Sequence, residues 1–108
     1  MYIQVKAAEP NPVVSLEEPD NCRQFHVAIG NLSEDEAQQA LEREDVGTFS
    51  DHETAWIKIT ALRKLAESRV PPDWPERFDA MLRYAETKGW LSANGTQVSG
   101  HLEWERGA

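Results

Sequence analysis

A chain of 108 residues with a net charge of −8 excludes several classes of protein before any motif is read. One hydrophobic core is expected at this length, the 40% of apolar residues with four tryptophans can fill it, and no apolar run nears the roughly 20 residues of a membrane span. Nineteen acids against eleven bases argue against a general nucleic-acid surface, because phosphate neutralisation supplies most of such affinity.

From the N-terminus, Ile3, Val5 and Ala7 alternate with Tyr2, Gln4 and Lys6, which predicts a half-buried strand over 2–7. The same stretch lacks the charged-then-apolar layout of a secretory leader. Cys22, the lone cysteine, cannot close an internal disulfide; both points lead to a cytoplasmic protein as the expectation. Prolines and acids between Glu9 and Asn21 predict an extended surface loop with Val13, Val14 and Leu16 anchoring its middle. Alternation returns with Phe25, Val27 and Ile29, giving a second strand at 23–29.

Ser33 and Glu36 form the spacing of a capping box, and Leu32 with Ala37 that of a hydrophobic staple. The helix they start carries a thin apolar stripe of Ala37, Ala40 and Leu41, and should end before Gly47. A helix over about 51–69 competes with a short strand at 55–59 followed by a helix capped by Thr60 and ending near Ser68. The β-branched and aromatic run from Trp56 to Thr60 favours the second division. Pro71 and Pro72 then break the chain. Asp73 and Glu76 offer another box, and Trp74, Phe78, Met81, Leu82 and Ala85 share one side of a helix over 74–88 that Gly89 stops. Trp90, Leu91, the turn pair Asn94-Gly95 and the alternating Val98, Gly100, Leu102 and Trp104 predict a hairpin packed on that helix, with His101 facing solvent. Residues Arg106 to Ala108 read as a frayed tail.

The expected fold class is therefore α+β in a single domain, 1–108. Two N-terminal strands and an acidic loop (1–30) precede three helices and a C-terminal hairpin (33–104). From residue 33 onward this order resembles a winged helix-turn-helix domain. Ile59-Thr60-Ala61-Leu62-Arg63-Lys64-Leu65-Ala66 is similar to the strand entering the second helix of such domains, and Tyr84-Ala85-Glu86-Thr87-Lys88-Gly89-Trp90-Leu91 to the third helix entering the wing. The stretch from Trp74 to Trp104 also resembles small uncharacterised proteins of actinobacterial type, a likeness that implies no activity. The winged-helix likeness implies DNA binding through helix 74–88. Its outer face, Glu76, Ala80, Arg83 and Thr87, is poor in bases, and the tip Asn94-Gly95-Thr96-Gln97 has none.

Catalytic constellations are not evident. There is no G-x-S-x-G elbow, phosphate-binding glycine loop, C-x-x-C or H-E-x-x-H. On one strand, Cys22 and His26 would stand about 13 Å apart, too far for a shared zinc, and the adjacent side chains of Asp51, His52 and Glu53 diverge. No catalytic, cofactor-binding or metal-ligating residue is predicted. Charge is uneven: residues 1–57 hold 12 acids and 3 bases, whereas 58–88 hold 5 acids and 7 bases. The expectation is a non-enzymatic interaction or regulatory domain that meets a protein partner or a second copy of itself, with a DNA-binding regulator second and a small ligand-binding protein or enzyme third. Trp56, Arg63, Lys64, Arg77, Arg83 and Tyr84 are the candidate partner surface.

Overall fold

The strands expected at 2–7, 23–29 and 55–59 and the second strand of the hairpin each have a counterpart in the computed structural model, but the neighbours those strands choose build a different molecule from the one their order suggests. The structure describes residues 1–105, so the predicted frayed tail from Arg106 to Ala108 lies outside the described residues. In chain order the elements are β1 (Tyr2–Lys6), β2 (Val13–Glu17), β3 (His26–Gly30), α1 (Glu34–Arg43), β4 (Gly47–Phe49), β5 (Thr54–Lys58), α2 (Ile59–Ala66), α3 (Trp74–Thr87) and β6 (Gln97–Glu105).

The six strands form one curled mixed sheet in the order β2-β1-β3-β6-β5-β4. The two ends of the sheet are antiparallel, β1 with β2 and β4 with β5. In the middle, β3 runs parallel to both β1 and β6. The C-terminal strand is thus central: β6 joins the half-sheet β2-β1-β3 to the half-sheet β5-β4. It pairs Val27 with Leu102 on one side and Ile57 with Val98 on the other.

This overturns the winged-helix-like fold class. The predicted hairpin survives only as a turn at Asn94-Gly95 and a single bridge between Leu91 and Val98. A wing stands beside its helices, whereas β6 is buried between two other strands. The physical reason is that period-2 alternation fixes which face of a strand is apolar and says nothing about which strand lies beside it.

The alternation itself holds. Ile3, Val5, Leu16, Val27, Ile29, Ala55, Ile57, Val98 and Leu102 turn to one face and are buried. With Leu41, Leu62, Trp74 and Phe78 from the three helices they form one core. Tyr2, His26, Trp56 and His101 take the opposite parity and remain half-buried or exposed. His101 faces solvent as expected. Among the described residues no polar or charged side chain is buried.

α1 starts as its sequence dictates: the Ser33 hydroxyl accepts from the Glu36 N–H at 3.1 Å while the Glu36 carboxylate accepts from the Ser33 N–H at 3.0 Å. The strand-then-helix division of 54–66 also holds, but α2 begins two residues earlier than a Thr60 cap would allow. Lys58 is its N-cap and makes no side-chain capping bond. The Ile59 N–H instead donates to the Thr96 carbonyl at 3.0 Å. At α3 the expected box is absent, because Asp73 adopts a helical conformation and makes no capping bond. Its carboxylate accepts from the Arg77 Nε at 3.2 Å. The helix stops where Gly89 takes a φ of 77°.

The acidic loop contains β2, an edge strand bounded by Pro12 and Pro19. Two carbonyls of this segment are occupied by side chains: Pro12 accepts from Arg43 at 3.0 Å and Leu16 from Arg69 at 2.8 Å. Such occupation blunts an edge that would otherwise template another strand. The strand expected at 23–29 begins only at His26, which frees residues 20–25 to cross the end of α3.

Candidate functional site: an aromatic groove beside α3

Where residues 20–25 approach α3, the indole N–H of Trp74 donates to the Pro19 carbonyl at 2.6 Å, and the Arg77 guanidinium donates to the Asp20 carbonyl at 2.8 Å. Arg77 also pairs with the carboxylates of Asp20 and Asp73. These bonds pin the segment to the first turns of the helix. From Arg77 to Ala85 the helix and this segment line a groove between them.

The groove has two adjoining hollows. The first, about 560 Å³, is lined by Asp20, Asn21, Cys22, Arg23, Arg77, Ala80, Met81 and Tyr84. The second, about 340 Å³, is lined by Arg23, Gln24, Phe25, Met81, Tyr84, Ala85, Trp90, Val98 and Ser99. Arg23, Met81 and Tyr84 belong to both, so the hollows adjoin.

Two large aromatics stand on its rim. Tyr84 is 58% exposed and Trp90 46% exposed, and their rings meet edge to face at 6.1 Å. Lys88 Nζ lies 5.5 Å from the Tyr84 ring centroid, within cation–π range. Trp90 takes this place because Gly89 ends α3 and the next residues bridge to β6: the Trp90 carbonyl accepts from the Ser99 N–H at 2.7 Å. The expectation that Trp90 belongs to the core is thus corrected, since its backbone is anchored while its ring remains half outside.

The electrostatics of the groove differ from those of the molecule. Arg23 makes no ion pair among the described residues, whereas Arg77 already holds both nearby carboxylates, Asp20 and Asp73. These two bonded carboxylates keep the Arg77 guanidinium charged well past its ordinary range. Burial pushes the Cys22 thiol up, with Arg77 acting the other way, so at neutral pH the thiol is protonated and behaves as a small apolar group.

No family model, curated protein or solved structure matches the chain. The assignment therefore rests on the groove's own chemistry.

Of the six residues expected to form a partner surface, the fold brings two together, Arg77 and Tyr84. Arg63 lies next to α3 but on the far side of Phe78, its guanidinium 4.8 Å from that ring and 2.8 Å from Asp79. Lys64 lines a separate cleft with Glu44, Asp45 and Val46. Arg83 is exposed on α3, about 130° around the helix from the groove's centre. Trp56 lies on the opposite face of the sheet, in register with Thr48 and Ser99.

The residues missed were Arg23, Phe25, Met81 and Trp90. Arg23 did carry a signal, being one of only three bases among the first 57 residues. Phe25 and Met81 carried none, because both fit apolar patterns that serve the core equally well. Among the described residues no cluster of three or more histidine, cysteine or acidic side chains could hold a metal ion, and no helix is long and apolar enough to cross a membrane.

Proposed function

We propose that this protein is a protein-interaction domain and that the groove beside α3 is its docking surface. The observation that carries this reading is the pair of large aromatics, Tyr84 and Trp90, held half out of the protein on the rim of an apolar hollow. Trp and Tyr dominate the binding energy of protein interfaces because each offers a large, stiff apolar surface with a polar tip. A shallow, open groove suits a segment of protein better than a small molecule, which needs most of its surface enclosed.

The test is capture from nuclease-treated native lysate with the immobilised protein, run beside a Tyr84→Ala, Trp90→Ala double variant. A stoichiometric protein recovered by the parent and lost with the variant supports the assignment. Losing two anchors of this type should weaken the complex by at least about 30-fold. The same proteins retained by both baits, or recovery of nuclease-sensitive DNA alone, would overturn it.

A further inference from the structure

We propose that the groove's occupant is an extended acidic segment of a partner protein carrying a bulky apolar side chain near its centre, an inference that rests on the groove being the docking surface.

The groove differs in charge from the molecule around it. The protein carries −8, yet the cations at the groove, Arg23, Arg77 and Lys88, outnumber the acids, Asp20 and Asp73. Both of those acids are occupied by Arg77. Arg23 and Lys88 are left with no carboxylate partner among the described residues, and Lys88 is held over the Tyr84 ring. Each is therefore a vacant cationic position beside an apolar hollow. A partner segment bearing carboxylates on either side of an apolar residue would complete both cations, and the rest of this acidic surface would repel the same segment elsewhere. Specificity would come as much from that repulsion as from the attraction.

Length points the same way. Along α3 the occupied Arg77 and the vacant Lys88 lie eleven residues apart, about 16 Å of helix, a length that an extended chain covers with about five residues. Between them the hollow offers Phe25, Met81, Tyr84 and Trp90. The methionine can adapt its shape to whichever side chain enters.

Aromatics beside cations also describe a site for single-stranded nucleic acid. Net charge favours the peptide. A groove with one surplus positive charge balances a short acidic segment, whereas a run of phosphates would extend over the negative surface on either side.

Panning a random heptapeptide display library against the full chain tests this directly, beside two variants: Arg23→Glu with Lys88→Glu, and Tyr84→Ala with Trp90→Ala. All four side chains are exposed, and circular dichroism would verify that each variant keeps its fold. The expected result is enrichment of net-negative peptides containing an aromatic residue or leucine. The recovered peptide, resynthesised, should bind the charge-reversed variant at least about tenfold more weakly. Peptides that are enriched without acidic bias, yet lost with the aromatic variant, would overturn this inference and leave the groove as the docking surface. Acidic peptides that bind the aromatic variant undiminished would overturn the groove reading and this inference together. So would no enrichment above the bare support. Binding of a random single-stranded oligonucleotide, lost on reversal of Arg23 and Lys88, would overturn it in favour of nucleic acid. A groove-dependent dimer, seen by sedimentation and abolished by Tyr84→Ala with Trp90→Ala, would overturn it in favour of a second copy.

Discussion

The helices α1 and α2 lie close against the strands, while α3 stands off from them, and the side chains at each contact explain the difference. α1 buries Ala37, Ala40 and Leu41, and α2 buries Ile59, Leu62 and Ala66. These residues are small or aliphatic and let helix and sheet approach closely: α1 touches β4, β1 and β2, and α2 touches β2 and β5. The buried face of α3 contains Trp74 and Phe78 instead, stacked with their centroids 4.6 Å apart. The spacing between packed elements follows the size of the side chains at the contact. Two aromatics act as a spacer, and the gap beyond them becomes the groove. Close packing builds the fold on one side of the molecule; a bulky spacer leaves room for a partner on the other.

Removing the spacer should have the largest effect. Phe78 is fully buried, with the Arg63 guanidinium against its outer face. Phe78→Ala should cost about 3–5 kcal/mol in urea unfolding. It should also abolish capture of the partner, since the helix would lose the element that sets its height above the sheet. If the variant lost that stability and still bound as well as the parent, the spacer explanation of the groove would be wrong.

Two glycines report on the two halves separately, because each lies in a different one. At Gly47, a Cβ would stand 2.2 Å from the Trp56 carbonyl oxygen and 2.9 Å from the Ile57 Cδ1, against backbone paired in the β4–β5 ladder. At Gly100 the nearest atom would be Phe25 Cε2 at 2.9 Å, with Val27 Cγ2 at 3.0 Å. The Phe25 ring borders the groove and can turn into it. Gly47→Ala should therefore cost at least about 3 kcal/mol, at the upper end for overpacking, and Gly100→Ala about 1 kcal/mol. Equal costs in chemical denaturation would show that the groove side is as unyielding as the α1 side.

Sequence reasoning served these two halves unequally, and the cause is the range over which each interaction acts. The capping box of α1 lies within four residues, so Ser33 and Glu36 announce it locally. The strand at β5 is equally legible, because Trp56, Ile57 and Lys58 alternate with neighbours in their own segment. By contrast, the place of β6 between β3 and β5 depends on residues some 40 to 75 positions earlier, and its alternation would look the same in a wing. β2 did carry a local sign in the apolar Val14 and Leu16 between two prolines, but an edge strand that short also resembles an anchored loop. The groove was the least legible part. It needs the segment around Arg23 to cross α3, and nothing within either stretch marks the other. Arg77 and Tyr84 were found because one is a charged residue in a basic region and the other an aromatic off the apolar stripe.

The smallest expected effect separates the halves by pH. On the α1 side, the Glu36 carboxyl is held below its ordinary range by the Ser33 backbone N–H, and the Asp51 carboxyl by the backbone N–H groups of Glu53 and Thr54. A carboxyl whose pKa is lower in the folded chain contributes stability above the unfolded carboxylate range and loses it as pH falls through the folded value. Beside α3, burial raises the Cys22 thiol. Its contribution is complete below the ordinary thiol range and is lost as pH rises through the raised value. Acid should thus loosen the α1 side first and alkali the groove side. In unfolding measured against pH, Glu36→Gln should flatten the acid limb and leave the alkaline limb unchanged, while Cys22→Ser should do the reverse. Both effects are expected to be modest, because the Glu36 and Asp51 carboxyls are solvent-exposed and Cys22 is only half-buried. If Cys22→Ser left the alkaline limb as steep as before, the thiol would not be the group that titrates there, and the pH contrast between the two halves would have to be carried by other residues.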